Sequence, residues 1–361
     1  MMFSNKKAVT LAFISLLSGF LGSFGFPPYD LFFLAIVSYG ALFIVVEKVS
    51  SVKQACLSGL LWGVGFHVGG LWWIAQALLV DGNPYRWAFP LAVLGFPFLL
   101  SLFNLGLCGL YKKLSLSFSI PLVICGVMFS LMFFASEWLR GNILTGFPWN
   151  LPAYIWSDHL PLLQSLSVLG AYGLSALTLL LSVMLGAFCL RRDWVIALPV
   201  IALMFTFMGF YGWGEGRLKL NKSIETKSLA RIIQPNIEQK DKWNPDLYLD
   251  HLEKIKEIAI SDLSNHDGFD NILLILPETA MNETMLAQSG ARAVLNELSA
   301  TYTSKGKNLV VLTGALYSKV KNGDRQYFNS AFIFNSDGRV IDDYSKSHLV
   351  PFGEYIPFSS I

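Results

Sequence analysis

The sequence contains few charged residues for its length. Only 14% of its 361 residues are Asp, Glu, Lys or Arg, whereas 53% are hydrophobic, and the mean hydropathy is +0.50. This composition argues against an ordinary water-soluble enzyme and is typical of an integral membrane protein. The formal net charge of +2, without a basic stripe that includes aromatic residues, argues against nucleic acid as a partner.

The four cysteines do not form a metal-binding or disulfide pattern. Cys56, Cys108, Cys125 and Cys189 lie in hydrophobic runs, without CxxC spacing and without a nearby cluster of histidine or carboxylate residues. We interpret them as small apolar residues that pack between helices. No metal site is expected.

Long apolar segments fill the first part of the chain. A helix needs about 20 apolar residues to cross about 30 Å of hydrocarbon, and only a helix or a closed barrel satisfies its backbone there. Seven segments fit, near residues 8–26, 31–46, 54–80, 88–110, 118–136, 162–190 and 194–213. Most of the 25 acidic residues follow position 213. We therefore predict a helical membrane domain over 1–213 and a more polar domain over 214–361.

The basic residues of the short loops predict the orientation. One set of flanks holds eight basic residues, Lys6, Lys7, Lys48, Lys53, Lys112, Lys113, Arg191 and Arg192, and the other set holds only Arg86 and Arg140. Basic residues accumulate on the cytoplasmic side of a membrane protein. The N-terminus is thus predicted to be cytoplasmic, and an odd number of spans places the second domain outside the cytoplasm.

Beyond residue 213 the pattern changes to short strands and amphipathic helices. Strands are predicted at 229–233, 271–276, 308–316, 328–334 and 339–344, and helices at 247–263 and 291–302. Strands that alternate with helices predict an α/β sandwich.

Two residues at strand ends are candidates for chemistry in this domain. Glu278 follows a buried strand, where α/β proteins commonly bind ligands, and a partly desolvated carboxylate can act as a general base. Lys346 follows the last predicted strand. Either residue alone is more often a solvated surface group, but together they suggest a catalytic site.

The loop region 137–150 combines a charge pair with glycines, a proline and two tryptophans. It is expected at the membrane interface, where indole rings prefer to lie. Phe147 and Trp149 either anchor a re-entrant turn or form a lip that guides a lipid or peptide into a site. The sequence favours neither interpretation.

Motifs in both halves of the chain resemble those of the apolipoprotein N-acyltransferases. The motifs are Gln-Pro-Asn-Ile at 234–237 with Trp243, Leu-Pro-Glu at 276–278, Lys346 followed by HLVPFGE at 348–354, and membrane segments at 26–30, 62–70 and 137–149. The HLVPFGE run is the most specific of these motifs. The likeness covers essentially the whole chain.

The resemblance implies a polytopic helical bundle of about seven spans followed by a nitrilase-like αββα sandwich. It also implies acyl transfer from a membrane phospholipid, through a cysteine thioester, to the diacylglyceryl-cysteine that begins an apolipoprotein. This reaction is the last step of bacterial lipoprotein maturation and needs no cofactor. Such an enzyme is expected to be a monomer in the bacterial inner membrane, with its catalytic domain in the periplasm.

The resemblance assigns roles to individual residues of this chain. Glu278 matches the general base of a Glu-Lys-Cys triad, and Lys346 matches the lysine that stabilises the oxyanion. Glu354 matches a further essential acid. Trp243 matches an aromatic residue at the acyl-chain entrance. Leu276 departs from the family pattern, which has an aromatic residue before Pro-Glu.

The nucleophilic cysteine of the family is expected beyond the HLVPFGE run, and this sequence has no cysteine there. We therefore expect a nitrilase-like domain that is incomplete at its C-terminus and inactive by itself. One alternative is a membrane-anchored amidase of the nitrilase superfamily. The other alternative is a non-catalytic protein that binds lipids or lipoproteins.

Overall fold

The chain forms two compact units, Met1–Lys222 and Ser223–Ile361. The computed structural model describes residues 6–79, 83–143, 146–220, 224–238, 241–242, 244–261, 263, 268–282, 289–321 and 324–349. The first unit is helical, and the second combines helices with a mixed sheet.

Apolar sequence in the first unit folds into helices joined by short connections. The helices are α1 (Lys6–Ser23), α2 (Phe32–Lys48), α3 (Val52–Leu71), α4 (Phe89–Ser117), α5 (Leu122–Asn142), α6 (Leu160–Leu163), α7 (Leu166–Leu190) and α8 (Trp194–Leu220). Short 3₁₀ segments lie at Trp72–Leu79, Arg86–Ala88 and Pro152–Trp156. This unit accounts for the hydrophobic character of the chain.

Five stretches of the described residues are long and apolar enough to cross a membrane. They are Val52–Leu79, Arg86–Ser117, Leu122–Asn142, Leu166–Leu190 and Trp194–Leu220. The helices α1 and α2, of 18 and 17 residues, occupy the first two predicted segments but are not among these stretches. Several apolar helices thus indicate a membrane protein, whereas the predicted number of seven spans is not confirmed.

Two element boundaries differ from the predictions. The predicted span at 162–190 is divided between α6 and α7, and Gly170 has a non-helical backbone, with φ 63°. Helix α8 continues to Leu220, beyond the domain boundary predicted at residue 213. Hydropathy did not reveal the first feature, because the residues around the division are mostly apolar, and it ended the last segment early, because α8 continues through the charged residues Glu215, Arg217 and Lys219.

Aromatic side chains form the centre of the helical unit. The ring of Trp62 stacks on Phe66 with 4.9 Å between centroids and meets the edge of Phe133 at 5.7 Å. Its indole Nε1 donates a hydrogen bond of 2.9 Å to Ser38 Oγ. A Cβ atom at Gly19 would lie 2.0 Å from the Trp62 carbonyl oxygen, so glycine permits α1 to approach α3 closely.

The second unit is built on a six-stranded sheet with the order β1-β2-β4-β5-β6, in which β3 also pairs with β4. Its elements are β1 (Ser228–Ile232), α9 (Tyr248–Ile260), β2 (Asn271–Ile275), β3 (Met281–Asn282), α10 (Ser289–Ser304), β4 (Asn308–Lys321), β5 (Asp324–Phe334) and β6 (Val340–Ser345). The strands β1, β2, β3 and β4 pair in parallel, and β5 and β6 are antiparallel to their neighbours.

Two helices cover one face of this sheet. Ile272 and Leu274 of β2 are buried, in alternation with less buried residues, and they belong to one core with Leu252 of α9 and Leu298 of α10. The mixed α/β architecture agrees with the sequence prediction. The described residues contain no second sheet, so the predicted αββα sandwich is not confirmed.

Candidate active site

Glu278 lies at the carboxyl edge of the parallel strands. The backbone continues from β2 beside β4, because Leu276 N donates a hydrogen bond of 2.8 Å to the Leu312 carbonyl oxygen. Thr279, the next residue after Glu278, has φ 51°, so the chain turns sharply there. At this turn the chain leaves the direction of β2, and Glu278 therefore lies at the edge of the sheet.

A glycine in β4 allows that turn to lie against the sheet. A Cβ atom at Gly314 would lie 2.7 Å from Glu278 Cα, 2.7 Å from Thr279 N and 2.9 Å from the Pro277 carbonyl oxygen. All three atoms belong to the main chain, which cannot move aside as a flexible side chain can. The position of Glu278 therefore depends on the absence of a side chain at Gly314.

Lys346 reaches the same edge from the antiparallel part of the sheet. It follows β6, and its backbone N–H donates a hydrogen bond of 2.8 Å to the Asn329 carbonyl oxygen in β5. The hydroxyl oxygens of Ser330 and Ser345, which face each other in this strand pair, are 2.9 Å apart. Strand pairing thus fixes the backbone from which the Lys346 side chain extends.

The structure brings Glu278 and Lys346 together across 68 residues of sequence. Lys346 Nζ lies 3.6 Å from Glu278 Oε1, and the two side chains are 35% and 65% exposed, respectively. Asn329 Nδ2 donates a hydrogen bond of 2.5 Å to the same Oε1 atom. An ion pair this exposed contributes only about 0–1 kcal/mol to stability. Both charged groups are, however, accessible to a substrate.

A second lysine supports the turn at Glu278. Lys242 Nζ donates a hydrogen bond of 2.6 Å to Thr279 Oγ1 and lies 3.5 Å from the Glu278 carbonyl oxygen. Burial lowers the pKa of Lys242, and the nearby Glu278 carboxylate opposes this shift. The site therefore contains two ammonium groups, with Lys346 near the Glu278 carboxylate and Lys242 at the adjoining backbone.

Sequence reasoning identified Glu278 and Lys346 but missed Asn329 and Lys242. Neither missed residue belongs to a motif that predicts chemistry, and each reaches the site only through the fold. Lys242 precedes Trp243 in sequence, which was the only available signal. Glu354 and Trp243, the other predicted residues of this site, lie outside the described residues.

Phe147 and Trp149, the predicted substrate contacts, lie together in the helical unit. Their rings stack with 6.1 Å between centroids. Phe96 contacts Phe147 edge-on at 5.0 Å, and Trp73 packs against Trp149 at 5.6 Å. These residues form an aromatic cluster next to the 3₁₀ segment after α3 and the start of α4.

A buried ion pair holds the loop that carries this cluster. Arg140 Nη1 donates a hydrogen bond of 2.5 Å to the Phe147 carbonyl oxygen, and Phe147 N donates one of 2.8 Å to the Arg140 carbonyl oxygen. Arg140 Nη2 also pairs with Glu137 Oε2, and both side chains are at least 90% buried. The same arginine therefore ties the end of α5 to the loop.

The described residues contain no group of three His, Cys, Asp or Glu side chains that could hold a metal ion. The four cysteines are free, and all of them lie in helices of the first unit. The candidate site in the sheet unit therefore consists of the Glu278 carboxylate with the ammonium groups of Lys346 and Lys242 beside it.

The architecture and the site together define a class, namely membrane proteins that carry an α/β unit with a carboxylate–ammonium pair at its sheet edge. A family model described as the apolipoprotein N-acyltransferase N-terminal domain matches residues 18–184. Proteins named apolipoprotein N-acyltransferase are similar to nearly the whole chain. The relative from Rhodopseudomonas palustris is 32% identical over 99% of this chain and 66% of its own length. The relative from Brucella melitensis is 30% identical over 97% of this chain and 66% of its own length. The relative from Rickettsia prowazekii is 30% identical over 96% of this chain and 67% of its own length.

The chain therefore belongs to the apolipoprotein N-acyltransferase family, a family of acyltransferase enzymes. This finding confirms the resemblance inferred from the sequence motifs. The chain spans about two thirds of the length of the relatives that it matches.

Proposed function

We propose that this chain forms the anchor and part of the catalytic domain of an enzyme that acylates apolipoproteins. The acyl donor is a membrane phospholipid, and the acceptor is the α-amino group of an N-terminal diacylglyceryl-cysteine. The observation that carries the proposal is the 3.6 Å pair of Glu278 and Lys346, in a chain whose relatives are named apolipoprotein N-acyltransferases. Family membership favours this reaction over the amidase and lipid-binding alternatives.

In the proposed mechanism, the Glu278 carboxylate accepts the proton of a cysteine thiol. The thiolate attacks the ester carbonyl of the phospholipid, and the Lys346 ammonium stabilises the oxyanion of the tetrahedral intermediate. The intermediate collapses to a thioester and a lysophospholipid alcohol, which takes the proton from Glu278. Glu278 then accepts a proton from the lipoprotein amine as it attacks the thioester, and the amide and the free thiol result.

The proposal requires a thiol beside this pair. The four cysteines of residues 1–361 lie in helices of the first unit, so a cysteine outside these residues would supply it. Residues 1–361 alone are therefore expected to form no thioester. Glu354 would orient Lys346 or the incoming amine, Trp243 would line the acyl-chain entrance, and Phe147 with Trp149 would guide a lipid or peptide towards the site.

The proposal also assigns the finer architecture. The helical unit would cross the bacterial inner membrane seven times, with α1 and α2 as short spans. The sheet unit would be part of a nitrilase-like sandwich in the periplasm. This placement suits two lipid substrates, because both are held at the membrane surface and need not be extracted into water.

The test uses the protein expressed from its complete gene in a bacterium depleted of its own N-acyltransferase, with mass spectrometry of lipoprotein N-termini as the measurement. Glu278→Gln and Lys346→Met are each expected to lower acylation at least 100-fold. Asn329→Ala, which removes the hydrogen bond to Glu278, is expected to lower it about ten-fold.

Exposed residues of α9 provide matched controls. Glu257→Gln and Lys254→Met change the same functional groups away from the pair and should leave acylation unchanged. Acylation by Glu278→Gln at the rate of the unmodified protein would refute the assignment of the general base.

A further inference from the structure

The helical unit has an apolar groove between α7 and α8, of about 330 Å³, for which the proposed acyl transfer assigns no role. The groove is lined by Val168 of α7 and by Thr206, Gly209, Phe210 and Trp213 of α8. It lies within the candidate span Trp194–Leu220.

The guanidinium of Arg217 stands at the end of the groove. Thr206, Phe210, Trp213 and Arg217 are four, three and four residues apart, so they share one face of α8. The Arg217 guanidinium lies over the Trp213 ring, with Cζ 5.6 Å from the ring centroid. The apolar lining thus ends at a positive charge on the same helix face.

Only one nitrogen of the Arg217 guanidinium, Nη1, makes hydrogen bonds within the described part of the chain. Arg217 Nη1 donates hydrogen bonds to the Gln164 carbonyl oxygen, at 3.4 Å, and to Ser167 Oγ. Within the described part of the chain, Nε and Nη2 make no hydrogen bond. The neighbouring Lys219 instead pairs with Glu215 at 2.8 Å. Arg217 therefore keeps the N–H groups of Nε and Nη2 for a ligand, while the contacts of Nη1 and the Trp213 ring hold its orientation.

Close packing fixes the walls near this cation. A Cβ atom at Gly214 would lie 1.8 Å from the Pro161 carbonyl oxygen, so the end of α8 lies directly against α6. This contact holds the segment with Gln164 and Ser167 beside Arg217. In contrast, a Cβ atom at Gly209 would meet nothing within 4 Å, so the groove is open at that position.

The length of α8 places these groups at different depths of a membrane. Its 27 residues extend about 40 Å, compared with about 30 Å of hydrocarbon. Arg217, in the last turn, would reach the headgroup region, where Trp213 also favours the interface. Thr206 and Gly209 would lie at acyl-chain depth.

From this arrangement we infer that the groove binds one glycerophospholipid, with an acyl chain along Gly209 and Phe210 and its phosphate at Arg217. Arginine is well suited to this role because its planar fork donates two hydrogen bonds to phosphate oxygens. A lipid supplies both parts of the complementary ligand, an apolar chain and an anionic head. The inference requires that α8 spans a membrane, but it does not depend on the acyl-transfer chemistry.

The experiment is native mass spectrometry of the full chain in detergent, titrated with phosphatidylglycerol or with diacylglycerol of the same acyl composition. Phosphatidylglycerol is expected to bind at least ten-fold more tightly than diacylglycerol. Arg217→Gln should remove that difference, and Arg217→Lys, which keeps the charge but not the fork, should retain part of it.

Gly209→Leu places an apolar side chain in the groove at a position where an added Cβ atom meets nothing within 4 Å, and it should weaken binding of both lipids about ten-fold. Gly106→Leu is the matched control, because Gly106 is an exposed glycine of α4 with equally open space. It should bind as the unmodified chain does. Thermal unfolding in detergent shows whether Arg217→Gln folds. If it does not fold, the comparison of Gly209→Leu with Gly106→Leu tests whether the lipid binds in the groove.

Three results would overturn the inference. The first is equal phosphatidylglycerol binding by Gly209→Leu and Gly106→Leu. The second is equal affinity of the unmodified chain for the two lipids. The third is displacement of the lipid by inorganic phosphate alone, or by a second copy of the chain, since either would show another occupant.

Discussion

At the scale of single residues, the position of Glu278 depends on Gly314. The turn with Pro277, Glu278 and Thr279 lies so close to β4 that no side chain fits at Gly314. The requirement is steric and arises from main-chain atoms rather than from an unusual backbone angle. A residue without chemistry of its own thereby determines where the carboxylate lies.

We predict that Gly314→Ala destabilises the sheet unit by about 1–3 kcal/mol, because the added methyl group must displace backbone. It should also lower acylation by the complete protein, since Glu278 moves relative to Lys346. Thermal unfolding and the acylation assay measure the two effects.

Gly268→Ala is the control, because a Cβ atom there meets nothing within 4 Å. Gly314→Ala with the stability and activity of this control would show that the turn relaxes without consequence.

The sequence selected Glu278 and Lys346 as candidates, because each follows a predicted strand and the HLVPFGE run after Lys346 is specific for the family. Asn329 and Lys242 could not be selected in this way. An asparagine in a strand or a lysine in a loop has no distinctive pattern, and their contacts with Glu278 and Thr279 arise from pairing between distant segments. The catalytic roles of Glu278 and Lys346 stay predictions.

At the scale of elements, the pair of Glu137 and Arg140 joins the end of α5 to the loop with Phe147 and Trp149. The two side chains are 8% and 1% exposed, so each charge depends on the other for compensation. Removal of one partner from a buried ion pair costs about 3–5 kcal/mol, whereas an exposed pair contributes about 0–1 kcal/mol.

We predict that Glu137→Gln lowers the free energy of unfolding of the helical unit by about 3 kcal/mol. The matched control is Glu215→Gln, which breaks the exposed pair with Lys219 and should change stability by less than about 1 kcal/mol. Denaturant unfolding in detergent provides the comparison.

A double-mutant cycle with Arg140→Gln separates the pair from its surroundings. The double variant should be less destabilised than the sum of the single variants, because no unpaired charge remains. Strict additivity would contradict direct coupling between the two side chains.

Hydropathy and periodicity predicted most elements because apolar runs and alternating strands have clear patterns. They did not predict the division between α6 and α7 or the non-helical backbone of Gly170 within α7, since neither is accompanied by a lasting change in polarity. They also missed β3, because two residues are too few to show a period.

At the scale of the whole molecule, the orientation of the chain in its membrane stays a prediction. The bias of eight basic residues against two argues for a cytoplasmic N-terminus. The five candidate spans among the described residues and the seven proposed spans are both odd numbers, so either number would put the sheet unit on the side of the membrane opposite the N-terminus.

We predict that a membrane-impermeant maleimide labels Ser304→Cys in intact spheroplasts but labels Ser117→Cys only after permeabilisation. Ser304 is exposed in the sheet unit, and Ser117 follows Lys112 and Lys113 at the end of α4. Both variants are made with Cys189→Ser, which removes an exposed native thiol. The reverse labelling pattern would overturn the orientation.

The pairing of β5 with β6 also has an evolutionary consequence. Lys346 N bonds to the Asn329 carbonyl oxygen, and the register between these strands already includes a bulge at Ile333 and Phe334. Because strand side chains alternate between faces, the insertion of a single residue in this hairpin would bring a different side chain opposite Glu278. Natural selection should therefore preserve the length of residues 330–346 more strictly than the identity of most residues within it.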